Sequence, residues 1–329
     1  MLSSSAIANA SAVKRNVIAN TRAGIPIQRG PSELVFAMLL SYTIGPGHRR
    51  SRPSSVRPSW VRPVAAGKTA VVRRRRTPIR YNTVMSQTAS AITRRPAEIV
   101  QNSPVSQAPN GICYARSGEI TIADNDLERM VAAVPVPVAA ALSRKAYYFV
   151  PLTVTQGDET VIADRYDVAL SDNAVYHRNL NLGDAQCVFI STRLMEDKFS
   201  VAFEFYINVG HALVERAGVS QNFADLAWQQ VGSGVRGETS LDAWEARKFA
   251  TAHGPDAEKY KNEYLAASFS DAISIYLLSL YLDVDYYDLR ERDYPLLAPA
   301  PMAERLRKIA EIFPPNPGFE FNIYYRRRS

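Results

Sequence analysis

The sequence has very little cysteine. Only Cys113 and Cys187 are present among 329 residues, too few to cross-link a secreted domain of this size, and their spacing matches no metal-binding knuckle. We therefore expect two free thiols and an intracellular location. Long apolar runs are also missing near the N-terminus: the longest, Leu34–Ile44, has about 11 residues, whereas a transmembrane helix needs about 20. We expect no transmembrane segment.

Acidic residues are almost absent from the first 97 positions. These positions carry 17 Lys or Arg and a single acid, Glu33, for a net charge of +16. The rest of the chain carries 22 basic and 31 acidic residues, for a net charge of −9. Such asymmetry is typical of a basic arm that binds nucleic acid or an acidic protein surface, joined to a mildly acidic body.

The basic arm is predicted to span residues 1–107, which are rich in Arg, Pro and Ser without sustained periodicity. Repeated prolines oppose regular structure and like charges repel, so we expect this segment to be disordered on its own. Its cations would bind phosphates without sequence preference. The side chains expected to contact a polyanion are Arg49, Arg50, Arg52, Arg57, Arg62, Arg73, Arg74, Arg75 and Arg76.

Residues 108–320 predict a globular domain of the α+β class, and residues 321–329 a basic tail. Apolar and β-branched stretches come first and helical periodicity follows, which favours a small sheet followed by helices. The predicted strands are Ala146–Val154, Val161–Leu170 and Cys187–Ser191. The predicted helices are Asp124–Val134, Phe199–Ala217, Leu241–Ala252, Asp256–Leu282 and Met302–Phe313.

One of these helices carries a pattern close to a zinc-binding motif. The motif His-Glu-x-x-His places two histidines one helical turn apart on one metal ion, and its glutamate activates the metal-bound water. Here the stretch from Ile207 reads Ile-Asn-Val-Gly-His-Ala-Leu. His211 stands at the second histidine, whereas Ile207 and Asn208 replace the first histidine and the glutamate.

This stretch resembles the zincin-type metallopeptidases, and most closely the anthrax lethal factor-like group. In that group a strand precedes the site helix, as Cys187–Ser191 does here, and a later helix of pattern Glu-aromatic-x-Ala-x-x-Phe supplies the third ligand. The segment Glu263–Phe269 fits that pattern. The resemblance implies a zincin-like domain in which Ile207, Asn208, His211 and Glu263 occupy the positions of a vestigial zinc site.

The replacements predict loss of catalysis. Isoleucine offers a metal no lone pair, and asparagine cannot accept a proton at neutral pH. We therefore expect no catalytic residue, no metal and no cofactor. The alternative is an active zinc metallopeptidase with an unorthodox site that recruits His177 or His253. Glu204 lies seven positions before His211, about 10.5 Å along a helix, too far for both to hold one ion directly.

The sequence therefore favours a non-catalytic structural or binding protein, a pseudoenzyme on a metallopeptidase-like fold. Its partner would be nucleic acid or an acidic protein surface, bound through residues 1–97, and we expect it to take part in a larger assembly. By analogy, a basic arm on an emptied enzyme domain fits a virion- or capsid-associated protein, which would be cytoplasmic or virion-associated. The other alternative is an organelle-targeted protein, because Met1–Arg29 loosely fits a mitochondrial presequence.

Overall fold

The computed structural model of the protein describes residues 90–157, 159–195, 197–252, 254–289 and 294–324. The nine arginines assigned to polyanion binding, from Arg49 to Arg76, lie outside these ranges. The described residues form a mixed α+β protein with two small sheets and nine helices. The strands are β1 (Thr93–Arg94), β2 (Ser106–Gln107), β3 (Cys113–Arg116), β4 (Lys145–Val150), β5 (Leu152–Gln156), β6 (Glu159–Ala163), β7 (Ala174–Val175), β8 (His177–Leu182) and β9 (Ala185–Ser191). The helices are α1 (Pro96–Asn102), α2 (Asp124–Ala132), α3 (Val136–Ala141), α4 (Val168–Ser171), α5 (Lys198–Ala217), α6 (Gln221–Gly232), α7 (Leu241–Thr251), α8 (Ala257–Tyr281) and α9 (Pro299–Ile312).

The larger sheet has five strands in the order β2-β3-β4-β9-β8. Strands β3, β4 and β9 are parallel, and β8 runs antiparallel to β9 at one edge. Successive side chains of β4 alternate between two apolar clusters: Tyr147 and Phe149 face the helices, whereas Tyr148 and Val150 face α1. Burial on both faces is expected of a sheet with a parallel centre, and it explains why β4 reads as one continuous apolar run.

The predicted strand Ala146–Val154 is two strands that belong to different sheets. Strand β4 ends before Pro151, and β5 begins after it in the smaller sheet of order β1-β6-β5-β7. Proline has no N–H for a ladder, so the chain leaves one sheet and enters the next at this residue. The predicted extended segment Val161–Leu170 also ends early, because β6 stops at Ala163 and the chain then forms the short helix α4.

The folded body begins earlier than the sequence predicts. Residues 93–107, assigned to the disordered arm, form β1, α1 and β2. Thr93 pairs with Ala163 of β6, and Pro96 occupies the first turn of α1, where its missing N–H is harmless. The buried side chains of Ile99 and Val100 anchor this helix. Proline, interpreted as a breaker in this segment, instead begins a helix.

The helical half agrees closely with the periodicity of the sequence. Helix α5 ends where Gly218 adopts φ 72°, and α8 and α9 lie within a few residues of their predicted bounds. Helix α8 is long and apolar enough to cross a membrane by length and composition, but 78% of its most apolar window is buried inside the protein. Among the described residues there is therefore no clear transmembrane segment.

Two further expectations concern the cysteines and the C-terminal tail. Cys113 and Cys187 are free, as predicted. Both are also buried, and burial raises the pKa of the Cys187 thiol to about 12. Residues 321–324 of the predicted basic tail still belong to the body, because Phe321 packs edge-on against Tyr276 with ring centroids 5.1 Å apart. Residues 325–329 lie outside the described ranges.

Candidate functional site

Helix α5 carries the zincin-like pattern, and local chemistry fixes both of its ends. At the N-terminus the Asp197 side chain accepts a hydrogen bond from the Ser200 N–H at 2.8 Å. This cap satisfies one of the helix's unpaired amides and places a carboxylate at the positive end of the helix dipole. At the C-terminus Gly218 adopts the left-handed conformation that most side chains avoid.

One face of α5 lies against α8 at very short range. A Cβ atom at Gly210 would meet the Ser270 carbonyl oxygen at 2.7 Å and the Ser274 Oγ at 2.8 Å. Ser274 also donates a hydrogen bond to the Tyr206 carbonyl at 3.2 Å. Gly210, the glycine of the zincin-like pattern, is therefore required for the close packing of α5 against α8.

The face of α5 that points toward strand β8 carries Glu204, Asn208 and His211. These positions are four and three residues apart, so their side chains stack along one side of the helix. The Asn208 Nδ2 donates to the Glu204 carbonyl at 2.9 Å and lies 3.3 Å from Glu204 Oε1. With His177, which begins β8, they form what we call the His–Glu cluster.

Glu204 and His177 make the central contact of this cluster. The carboxylate of Glu204 is fully buried, and its Oε1 lies 2.5 Å from His177 Nδ1. Its other oxygen, Oε2, is buried without a hydrogen-bond partner among the described residues. A buried carboxylate with one orphaned oxygen is costly, which is why a neighbouring donor or bound group is expected at such a position.

His211 is the exposed member of the His–Glu cluster. The groups whose charges affect its pKa are His177 and Glu204. Desolvation by the surrounding protein lowers the pKa of His211, and the imidazole of His177 lowers it further. The Glu204 carboxylate opposes both effects. The lowered pKa favours the neutral imidazole, which keeps a lone pair on its ring.

The predicted zinc-site positions lie on two helices, Ile207, Asn208 and His211 on α5 and Glu263 on α8. Ile207 is half-buried, and the Asn208 amide is engaged with Glu204. Glu263 is half-exposed on α8, where its carboxylate lies 3.8 Å from the Lys259 ammonium. The contacts Tyr206–Ser274 and Gly210–Ser270 show that α5 and α8 run antiparallel.

In this register Gly210 lies level with Ser270, and Glu263 stands seven residues before Ser270 in α8. Glu263 is therefore about 10 Å along α8 from the level of Gly210. The pairing of His211 with Glu263 stays a prediction that the contacts of these residues do not support. In the described part of the chain, no group of three or more His, Cys, Asp or Glu side chains is arranged to hold a metal ion.

The aromatic residues of the Glu263–Phe269 pattern serve the core. Tyr264 and Phe269 are buried, and the Tyr264 hydroxyl lies 3.1 Å from Glu238 Oε1. Glu238 is fully buried, and it accepts hydrogen bonds from Arg305 at 2.9 Å and from Arg247 at 2.8 Å. This second cluster, which we call the Glu238 network, ties α7, α8 and α9 to the loop before α7.

A buried carboxyl group, Asp271, lies beside the Glu238 network. Desolvation raises the pKa of Asp271 to about 6, and hydrogen bonds from Ser240 and Thr239 oppose the shift. The Thr239 hydroxyl donates to Asp271 Oδ2 at 2.6 Å. The negative charges of Asp242 and Glu238 raise the pKa further.

No protein-family model, curated protein or solved structure matches the chain at a significant level. Inference about its function therefore rests on the charges, contacts and burial described above.

The central pair of the His–Glu cluster is not predicted from the sequence. Residue spacing offers His177 only as a substitute ligand, and it excludes Glu204 because of its distance from His211. A usable signal is present nevertheless: Glu204 stands between Phe203 and Phe205 in an apolar helix. An acid at a core position requires a hydrogen-bonding partner elsewhere in the fold.

Proposed function

We propose that this chain is a non-catalytic nucleic-acid-binding protein, in which basic residues 1–97 contact the phosphates and the α+β body fixes the arm within a larger assembly. The observation that carries the proposal is the charge distribution, +16 in residues 1–97 against −9 in the rest. A segment of that charge binds phosphates mainly by releasing their counterions. A virion or capsid interior is an assembly that needs this combination.

The described residues at the end of the arm are hydrogen-bonded to the body, which supports the proposal of a fixed attachment point. The Asp167 carboxylate accepts from the Ala91 N–H at 3.1 Å, and the Asp164 carboxylate accepts from the Ile92 N–H at 3.0 Å. Hydrogen bonds from Ala91 and Ala169 also hold the pKa of Asp167 below its usual value. The chain therefore enters the body at a point held by two carboxylates next to β1.

The chemistry of the His–Glu cluster favours a body without hydrolase activity. A zincin mechanism needs a carboxylate beside the first histidine, and the side chain at that position, Asn208, donates its amide hydrogens to Glu204. The order of elements is compatible with a degenerate zincin-like scaffold, since β9 precedes α5 and α8 packs against its Gly210. That ancestry is part of the proposal.

An acidic protein surface is the competing partner, and binding to DNA separates the two alternatives. The measurement is binding of a fluorescent DNA duplex by the full chain in a salt series, compared with a chain that lacks residues 1–89. The deletion stops at 89 because Thr93 and Arg94 pair with β6. Each phosphate contact adds about 0.9 to the magnitude of the slope of log K against log salt, so the truncated chain should lose both affinity and slope.

A charge-matched control distinguishes arm contacts from general attraction. Replacing Arg73, Arg74, Arg75 and Arg76 with Gln removes four charges from the arm. Replacing the exposed Arg216, Lys248, Lys259 and Arg307 with Gln removes four charges from the body. The proposal requires a large loss of DNA affinity from the four arm replacements and a small loss from the four body replacements. Equal effects of both sets, or duplex binding that is indifferent to the arm, would contradict it.

Two other measurements address the remaining alternatives, an active metallopeptidase and an organelle-targeted protein. Peptide hydrolysis that depends on His211 would favour an unorthodox metallopeptidase. Sequencing the N-terminus of protein from its native source tests organelle targeting, because a cleaved presequence would move the start from Met1 to near residue 30.

A further inference from the structure

Of the four strands at the edges of the two described sheets, three are very short. Strands β1, β2 and β7 have two residues each, whereas β8 has six. An edge strand presents unpaired N–H and C=O groups to which another strand can add, and proteins usually prevent this with short edges, bulges, proline or lysine. The six residues of β8 contain neither proline nor lysine, and they pair with β9 without a bulge.

The hydrogen bonds of β8 identify the backbone groups that face outward. The Ser191 N–H donates to the Tyr176 carbonyl at 2.8 Å, so these two opposed residues form a hydrogen-bonded pair. Such pairs alternate with non-hydrogen-bonded pairs along an antiparallel ladder, so the even-numbered residues of β8 bond to β9. The N–H and C=O groups of the other three residues point away from the sheet. These residues are His177, Asn179 and Asn181.

The outward edge of β8 is open in the described part of the chain. Asn179 and Asn181 are exposed, whereas Leu180 between them is buried. No backbone hydrogen bond joins either asparagine to a loop or to another strand within the described ranges. Helix α5 lies over one face of the sheet, where Glu204 contacts His177, and leaves the edge of the strand free.

We infer that β8 pairs antiparallel with β8 of a second copy of this chain, across a two-fold axis at Asn179. In this register Asn179 lies opposite Asn179 of the second copy, and His177 lies opposite Asn181. All three outward residues are then in hydrogen-bonded pairs, which gives three pairs with two bonds each. The five-stranded sheets of the two copies join edge to edge into one continuous sheet.

The strand is self-complementary, which favours a second copy as the occupant of this edge. An axis at Arg178 or at Leu180 leaves only two hydrogen-bonded pairs within β8, and the first of these sets two arginines opposite each other. With the axis at Asn179, Arg178 instead lies opposite Leu180 of the second copy.

The charge of β8 also suits contact between two copies. The chain after residue 97 carries a net charge of −9, so two bodies repel each other in most orientations. Strand β8 contains no acidic residue, so pairing at this edge brings no carboxylates together. The inference is independent of nucleic-acid binding.

The oligomeric state of the full chain tests the inference, measured by sedimentation velocity. Nuclease treatment and high salt keep nucleic acid from bridging the arms. A contact of one strand per copy is small, so concentrations up to about 100 μM are needed. The wild-type chain should show an equilibrium between monomer and dimer.

A lysine at the axis should weaken the dimer. Asn179→Lys places two ammonium groups opposite each other, so the dissociation constant should rise at least about tenfold. The matched control is Asn222→Lys on the exposed surface of α6, which adds the same charge and should leave the equilibrium unchanged. Asn179→Pro removes the central N–H donor, which faces solvent in the monomer, so it should also abolish the dimer without unfolding the chain, as circular dichroism would show.

Cysteine cross-linking tests the register. In the inferred dimer the two Cα atoms at position 179 are about 5.5 Å apart, within the range of a disulfide, so Asn179→Cys should cross-link on mild oxidation. The two copies of position 181 lie four residues apart along the strands, more than about 13 Å, so Asn181→Cys should not. The native Cys113 and Cys187 are buried and should not react.

Three outcomes would overturn the inference. A chain that stays monomeric at these concentrations would assign the edge of β8 to a different occupant. A dimer that is unchanged in both Asn179→Lys and Asn179→Pro would place the contact on another surface. Cross-linking through Asn181→Cys that is as fast as through Asn179→Cys would exclude the two-fold axis at Asn179.

Discussion

Arg305 and Glu238 are both fully buried, and Arg305 Nη1 donates to Glu238 Oε2 at 2.9 Å. The Arg305 Nε also donates to the Gln230 side chain at 2.8 Å. Removing one partner from such a pair leaves an uncompensated charge in the core. We predict that Arg305→Ala lowers the free energy of unfolding by about 3–5 kcal/mol, measured by denaturant titration. Arg307→Ala, on the exposed side of the same helix, should change it by less than about 0.5 kcal/mol.

Gly210 provides a second test of packing. Its Cβ would lie 2.7 Å from the backbone oxygen of Ser270, which cannot move without shifting α8. Gly210→Ala should therefore destabilise the protein by about 1–3 kcal/mol despite the better helix propensity of alanine. At Gly232, at the end of α6, a Cβ would meet no atom within 4 Å, so Gly232→Ala is the control and should be neutral or slightly stabilising. Equal effects at both positions would contradict the close approach of α5 and α8.

Asp271 predicts a pH dependence of stability. Burial raises the pKa of Asp271 to about 6 from the ordinary value of 3.8, so the folded state binds this proton more tightly than the unfolded state does. The resulting stabilisation is complete below pH 3.8 and is lost as the pH rises through about 6. Asp271→Asn should remove this contribution, about 1–3 kcal/mol, and flatten the unfolding free energy between pH 4 and about 7. An unchanged pH profile would mean that Asp271 titrates normally.

Rebuilding the zincin motif should destabilise the protein. The amide of Asn208 lies 3.3 Å from Glu204 Oε1, so Asn208→Glu would place two carboxylates together in a buried position. One of them must then take up a proton or separate from the other. We predict that Ile207→His with Asn208→Glu melts at a lower temperature than Ile207→His alone. The difference should shrink at acidic pH, where the second carboxylate is protonated.

The boundary of the folded body can be tested by limited proteolysis. The sequence predicts a disordered segment between Arg49 and Arg76, and a protease cuts such a segment first, so trypsin should cleave there. Residues 93–107 belong to β1, α1 and β2, so cleavage at Arg94 or Arg95 should be slow, and mass spectrometry should find a stable fragment that begins near residue 90. A fragment that begins near residue 108 would instead restore the boundary predicted from the sequence.

Five helices, α2, α5, α7, α8 and α9, are predicted well from the sequence because their apolar stripes are strong, whereas α1, α3, α4 and α6 are not predicted. The prediction for α5 is within one residue, from Phe199 rather than Lys198 to Ala217. Strand β8 is not predicted, because His177–Leu182 contains no β-branched residue and no Phe, Tyr or Trp, and has two asparagines, which are uncommon in strands and common in turns. The boundary between β4 and β5 at Pro151 is not predicted, because both strands are buried and their residues form one apolar run in the sequence.

The candidate site is harder to predict than the fold. Residue spacing along one helix draws attention to His211, but the partner of Glu204 comes from a strand 27 residues earlier. Pairing across that separation depends on how β8 lies beside α5, which no local pattern records. For the same reason, the sequence pattern assigns Glu263 to the site, although its carboxylate lies beside Lys259 on the surface of α8.

The parallel pairing of β4 with β9 also governs the order in which the chain can fold during synthesis. Lys145 lies opposite Gln186, so β4 leaves the ribosome well before its neighbour exists. Until then one side of a very apolar strand has no partner, and such segments are prone to associate with other chains. The missing partner, β9, pairs with β8 through residues close in sequence, so the same hairpin that covers the open side of β4 also carries His177.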